Sequence, residues 1–399
     1  MFFRKRRIYL DYAGATPILP EVVRSICDAE ATFGNPGSIH AEGALAQKTL
    51  DSARQGVAHE LACKARQVVF TSGLTESNNL AILGLARKLP LSGEFEGSHW
   101  ITTSVEHSSV LECFAEVERL GGTVTHLDPD ERGIISAEKL RSALKSNTVL
   151  VSIGWANNET GVVQKLSEFS RIIRAHESTR PILFHSDAGQ APLYLSPQIH
   201  TLGVHMLSIG AGKLYGPRGI GALYVEDLQT IASVLLGGGQ EKGLRAGTEK
   251  VSSAVGFAVA LEIIGKERKA EAARLEKLRD AFAREIQKNI PGVIVNGDLR
   301  YTLPHMLNIS VPGEKSGEYL VLALDHAGVA LSTRSACRAG DRASHVVAAL
   351  AAASEALAKE TGSSWRAENT LRFSFGCSTI HAELQKTLVV LMKTLGLEQ

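Results

Sequence analysis

The sequence predicts an α/β fold: a mostly parallel central sheet with helices on both faces, joined to a smaller α+β domain. Three observations predict it. Short apolar runs alternate with segments of helical periodicity from residue 68 to residue 209, the pattern of repeated βαβ crossovers. Polar groups able to do chemistry follow five of those runs, where ligands sit in parallel sheets. Beyond Gly247 the alternation gives way to a long helical tract and then to a β-rich remainder.

The elements follow in order. Residues 8–12 read as a short strand entering a turn at 14–17, and the FGNPG stretch at 33–37 is a loop. A helix is expected over 42–61, a buried strand over 68–70 and a helix over 76–87. The alternation continues with strands at 100–103, 123–127, 148–153, 182–185, 206–209 and 220–225. Helices fall between them at 108–120, 136–144 and 166–176. The helical tract over 251–289 is apolar all round in its first half, hence buried, and charged with an apolar stripe in its second. Pro291-Gly292 ends it. Strand-like and helical segments follow at 306–311, 318–327, 329–331, 343–359, 371–375 and 382–395. The length of 399 residues suits two domains. Residues 15–260 are expected in the large one, and residues 1–14 with 261–399 in the smaller.

Composition excludes several classes. Lys and Arg (43) nearly cancel Asp and Glu (42), leaving a net charge of +1, so nothing calls for nucleic acid or an anionic membrane as partner. No apolar run is long enough to span a bilayer. The basic run Arg4-Lys5-Arg6-Arg7 has no apolar signal-peptide core after it and reads as a solvated tail. Five scattered cysteines, Cys27, Cys63, Cys113, Cys337 and Cys377, include no C-x-x-C pair. They argue against a disulfide framework or structural zinc and for a reducing, cytoplasmic setting. Four of them read as small inert hydrophobes.

The groups that follow strands are Thr71-Ser72-Gly73, Glu106-His107, Asn157-Asn158, Asp187 and Lys213. Lys213 lies within HMLSIGAGKLYGPRGIG (205–221), on a glycine-flanked turn that lets backbone approach a ligand closely. Its amine could pair with a phosphate or form a Schiff base with a carbonyl cofactor. Asp187 could keep a pyridine nitrogen protonated. The TSGLTES turn (71–77) opens a helix N-terminus suited to a phosphate. Alone, each has an ordinary reading, a solvated loop lysine or a capped helix. Together they are the parts of a pyridoxal 5′-phosphate site.

These residues carry a resemblance. YLDYAGATP, FGNPGSIH, VVFTSGLTESNNLAI, EHSSVL, NNETGVVQ, HSDAGQ, GKLYGPRGIGALYV, GGGQEKGLRAGT, SACRAG and LRFSFG occur in this order. The chain thereby resembles the cysteine desulfurases, pyridoxal-phosphate enzymes of the class V aminotransferase group with fold type I architecture. The resemblance implies a homodimer with the cofactor near the subunit interface, acting on L-cysteine and passing sulfur to an iron–sulfur scaffold or another acceptor protein. By it Lys213 would bind the cofactor's carbonyl and Asp187 the ring nitrogen. His107 would stack on the ring, and Asn158 and Gln190 would hold the substrate and the ring hydroxyl. Thr75 would bind phosphate, Thr248 would reach the neighbouring subunit's phosphate, and Arg372 would fork onto the substrate carboxylate. Cys337, in a small-residue loop with Arg334 and Arg338 nearby to favour its thiolate, would be the sulfur acceptor.

Departures from the family stand beside the matches. Gly210 and Gly212 occupy the positions of a usual Ser-x-His pair that helps hold the phosphate, so backbone N–H groups, water or other side chains must compensate. Arg334 replaces an expected glycine, Cys377 stands where arginine is common, and the stretch between Cys337 and Arg372 is long. Within enzymes the alternatives are a cysteine or selenocysteine lyase, or an aminotransferase-like or epimerase activity. From another class, Gly210 and Gly212 motivate a cofactor-poor pseudo-enzyme acting as a binding partner.

Overall fold

The computed structural model describes residues 7–93, 95–334, 343–354 and 364–397. The chain begins with β1 (Ile8–Tyr9), α1 (Pro20–Ala29) and α2 (Ala41–Leu61). The alternating region comprises β2 (Val68–Thr71), α3 (Leu74–Lys88), β3 (His99–Thr103), α4 (Ser108–Arg119), β4 (Thr123–Leu127) and α5 (Ala137–Ala143). It continues with β5 (Thr148–Ser152), α6 (Leu166–Ala175), β6 (Leu183–Asp187), α7 (Ile199–Leu202), β7 (Met206–Gly210) and β8 (Gly221–Val225). After α8 (Val251–Asn289) come β9 (Ile294–Val295), β10 (Met306–Ser310), α9 (Gly317–His326), β11 (Val329–Ala330) and α10 (His345–Ala352). Last are α11 (Ser364–Glu368), β12 (Thr370–Ser374) and α12 (His381–Leu395).

The main sheet has seven strands in the order β2-β8-β7-β6-β5-β3-β4. All run one way except β8, which pairs antiparallel with both neighbours. Every residue of β2, β3, β5, β7 and β8 is buried. That is why these strands read as continuous apolar runs rather than alternating ones: helices cover both faces. From β3 the chain crosses to β4 on one side, then returns to β5 on the other. The carboxyl ends of β3 and β5 therefore form a topological switch point, the place where such sheets bind ligands.

A second, antiparallel sheet has the order β12-β10-β9, and β1 pairs in parallel with β11. The N-terminal strand is thus tied to the C-terminal third. It is shorter than expected: Asp11 makes only an isolated bridge to Ser374. Arg7, of the basic run expected to be a solvated tail, forms an ion pair with Asp325. Residues 1–6 lie outside the described residues.

The tract from 251 forms one 39-residue helix, α8, packed on α1 and α2 with its first half and on α12 further along. The first half is not buried all round: Ala254, Phe257, Leu261 and Ile264 are buried, whereas Val255, Val259 and Ile263 are half-buried and Glu262 is exposed. The expected division between residues 260 and 261 falls inside this helix. The alanine-rich segment forms α10 over His345–Ala352, and residues 355–363, which complete the expected helix, lie outside the described residues.

Candidate active site

The carboxyl ends of the main-sheet strands open into a cavity of about 200 Å³. Thr75, His107, Asn158, Asp187, Gln190, Lys213 and Arg372 all line it. Seven of the nine site residues expected from sequence therefore meet in one place. Thr248 does not line this cavity and is exposed, and Cys337 lies outside the described residues.

Lys213 sits on a single 3-10 turn, Ala211–Lys213, directly after β7. An N-terminal strap fixes that turn. Thr16 donates its N–H to the Gly212 carbonyl at 3.2 Å, and its hydroxyl accepts from Tyr215 N at 2.7 Å. Tyr215 adopts a φ of 53°, a strained position for a bulky side chain, and its hydroxyl accepts from Cys377 N at 3.0 Å.

Asp187 ends β6 as a carboxylate held from both sides. Asn78 Nδ2 donates to its Oδ2 at 2.7 Å and Gly189 N to its Oδ1 at 2.8 Å. Asn78 also donates to Ser109 Oγ at 2.9 Å. No role was expected for Asn78; the signal was a Ser-Asn pair on a helix face otherwise filled by Leu80, Ala81 and Leu85.

His107 is the N-cap of α4. Its Nδ1 accepts from Ser109 N at 3.1 Å, so the neutral ring carries its proton on Nε2. Burial lowers its pKa, the Asp187 charge opposes that, and the Lys213 charge adds to it. A neutral, anchored imidazole results.

Glu106, the residue before it, is buried in the cavity wall at the switch point. Its carboxyl accepts from Gly154 N at 3.0 and 3.1 Å and from Thr103 Oγ1 at 2.8 Å. Burial pushes its pKa up to about 7, bonds from Gly154 and Thr103 pull the other way, and the Asp187 charge adds to the rise. Sequence showed Glu106 after a strand but gave it no task.

Gln190 donates Nε2 to the Ala13 carbonyl at 2.9 Å, leaving its carbonyl oxygen and second N–H for other partners. Asn157 builds the neighbouring turn by accepting from Glu159 N and Thr160 N, both at 2.9 Å. Arg372, on β12, is 2 % exposed. Its Nη1 donates to the Asn158 carbonyl at 2.8 Å and its Nη2 to Asp11 Oδ1 at 2.7 Å. Its Nε is buried with no hydrogen-bond partner among the described residues.

Cys337 and Arg338 lie outside the described residues, and Arg334 lies within them. The Arg334 guanidinium donates to Glu318 Oε1 at 2.5 Å. Of the cysteines expected to be small inert hydrophobes, Cys113 is buried and Cys63 half-buried, with burial pushing their thiols up to about 12 and about 11. Cys27 and Cys377 are instead exposed. Among the described residues no helix is long and apolar enough to cross a membrane, and no cluster of His, Cys, Asp and Glu could hold a metal.

The family model described as Aminotransferase class-V matches residues 8–387. The chain is 39% identical over 389 residues to cysteine desulfurase IscS of Dictyoglomus turgidum, covering 97% of this chain and 94% of that protein. The chain belongs to the class-V aminotransferase family. Within it, the chain is a cysteine desulfurase by its relatives. Putative cysteine desulfurase IscS 1 of Bacillus subtilis is 37% identical, with 96% of each chain covered. A solved NifS-like protein superposes with a TM-score of 0.87 at 30% identity, covering 98% of this chain and 99% of its own. The structure titled SspA in complex with cysteine gives a TM-score of 0.77 at 32% identity, covering 92% and 98%. The fold type I architecture expected from sequence is therefore present.

Proposed function

We propose that this cysteine desulfurase uses pyridoxal 5′-phosphate to release L-alanine from L-cysteine, with Cys337 as sulfur acceptor. The observation that supports it most is Lys213 in one cavity with Asp187 and His107. The residues present fit the coenzyme. A lysine can take its carbonyl, a carboxylate held by Asn78 and Gly189 suits a ring nitrogen, and the first turn of α3 offers N–H groups to a phosphate monoester. The buried Arg372 Nε, without a hydrogen-bond partner among the described residues, is the kind of atom that a carboxylate ligand satisfies.

When bound, the coenzyme supplies an electron sink that makes the substrate's Cα proton removable. The protein's own groups do the rest. Arg372 and Asn158 orient the amino acid, neutral His107 packs beside the ring, and the Lys213 amine moves the Cα proton. The Cys337 thiolate attacks the substrate sulfur, forming an S–S bond as the substrate's Cβ–S bond breaks. The electron pair of that bond remains on carbon and is protonated, giving alanine and a Cys337 persulfide. Thr248 is assigned to the phosphate of a neighbouring subunit in a homodimer. The persulfide sulfur is assigned to an iron–sulfur scaffold or another acceptor protein. Residues 15–260 serve as the coenzyme-binding unit, and residues 1–14 with 261–399 carry the nucleophile.

The test is incubation of the purified protein with L-cysteine, quantifying alanine and trapping persulfide by alkylation and mass spectrometry. The expected result is one persulfide at Cys337, absent from Cys337→Ser together with alanine release. Full alanine and sulfide release by Cys337→Ser would remove the nucleophile assignment.

A further inference from the structure

The two glycines before Lys213 are not equivalent. A Cβ built on Gly212 meets nothing closer than Arg218 Cγ at 3.5 Å, an ordinary contact. A Cβ on Gly210 falls 2.7 Å from Leu74 Cγ, 3.1 Å from Leu74 Cδ1 and 3.4 Å from Leu74 N. The Leu74 side chain already fills the place that a side chain at 210 would need. The same leucine lies over Gly189, whose Cβ would come within 2.8 Å of Leu74 Cδ1. One residue earlier, a Cβ on Gly221 would stand 2.8 Å from Gly73 Cα. The start of α3 thus rests on three glycines, Gly210 and Gly221 at strand ends and Gly189 two residues beyond β6, and Leu74 is the side chain pressed into that seat. Leu74 also lines the cavity, as do Thr75 and Lys213.

We propose that Leu74 and Gly210 form a size-matched pair that walls the phosphate end of the cavity with hydrocarbon and thereby limits coenzyme affinity. This rests on the pyridoxal-phosphate reading of the site. The leucine removes a place for a hydroxyl donor within reach of the first-turn N–H groups of α3, and a side chain at 210 would collide with it. Gly212 carries no such constraint. Coenzyme retention then depends on the α3 N-terminus, Thr75 and Lys213, with one side-chain donor fewer than the seat could hold. A hydrogen bond to a charged group is stronger than one between neutral groups, so a donor restored at 210 is expected to tighten phosphate binding about tenfold.

The test is titration of the full chain, stripped of coenzyme, with pyridoxal 5′-phosphate and separately with pyridoxal, which lacks the phosphate. Wild type, Leu74→Ala, Gly210→Ser and the double variant are compared, with the melting temperature of each apoprotein. The expected result is that Gly210→Ser alone lowers the melting temperature and weakens phosphate-ester binding. The double variant recovers the melting temperature and binds the phosphate ester about tenfold more tightly than wild type, while pyridoxal affinity is unchanged. If Gly210→Ser does not fold, recovery of folding in the double variant is the same result. Additive melting effects, or a double variant no tighter than wild type, overturn the pairing while leaving the coenzyme assignment standing. A chain in which no variant takes up pyridoxal 5′-phosphate overturns both.

Discussion

Arg372 and Asp11 form a 2.7 Å ion pair between residues 361 positions apart, with the arginine side chain 2 % and the aspartate 27 % exposed. The pair joins the N-terminal turn to the last strand of the smaller sheet and aims a guanidinium into the cavity. Two of the three guanidinium nitrogens have a partner, and Nε has none among the described residues. Arg372→Lys is therefore expected to raise KM for L-cysteine by about ten- to a hundredfold with a smaller change in kcat, because an ammonium cannot reproduce the fork. Asp11→Asn, which keeps the shape and loosens the arginine, is expected to raise KM less. Steady-state alanine formation measures both, and an unchanged KM in Arg372→Lys would remove it from the carboxylate site.

Among the described residues, Asn78 supplies one of the two hydrogen bonds that hold the Asp187 carboxylate. Asn78→Ala is expected to weaken pyridoxal 5′-phosphate binding about tenfold, the worth of one bond to a charged group. An absorbance titration reads it. Unchanged affinity would show that Gly189 alone suffices to fix the carboxylate.

Lys213→Ala is expected to abolish both the visible absorption band of the purified protein and alanine release. A chain that keeps the band in this variant would place the covalent attachment elsewhere.

Glu106 gives a pH dependence with a definite sign. Its carboxyl is raised from the usual 4.5 to about 7, chiefly by burial. Below pH 4.5 folded and unfolded chains both hold the proton. Between 4.5 and 7 only the folded chain does, so stability is lost as pH rises through that window, by roughly 3 kcal/mol in all. Glu106→Gln keeps an acceptor for Gly154 N and Thr103 Oγ1 without the charge. The variant is expected to melt higher than wild type at about pH 8 and to differ little near pH 5. Parallel melting profiles would exclude a protonated Glu106.

Three buried histidines act in the opposite direction. Burial depresses His99 and His185 to about 4 and His305 to about 3. Their stability is fully present above the ordinary value near 6.5 and is lost as pH falls from there towards the folded values, because the unfolded chain takes up protons first. Acid unfolding near pH 5 is expected to proceed with uptake of about three protons on these groups, measurable from the slope of stability against pH. A flat profile between pH 6.5 and 4.5 would show that one or more of them is charged in the folded protein.

The sequence by itself determined the fold class, because strands buried on both faces must be continuously apolar and crossovers must be helical. It determined most of the cavity lining too. Lys213, Asp187, His107 and Asn158 each follow a strand, and the carboxyl ends of parallel strands converge on one cavity whatever the details of packing. Tertiary structure alone decided what supports those groups. Asn78 reaches Asp187 across 109 positions and Arg372 reaches Asp11 across 361, and no local pattern encodes partners so far apart. It also decided what the glycines mean. Gly210 and Gly212 look alike in sequence, yet only Gly210 lies under Leu74, because steric exclusion depends on which side chain from another element enters the same few cubic ångströms.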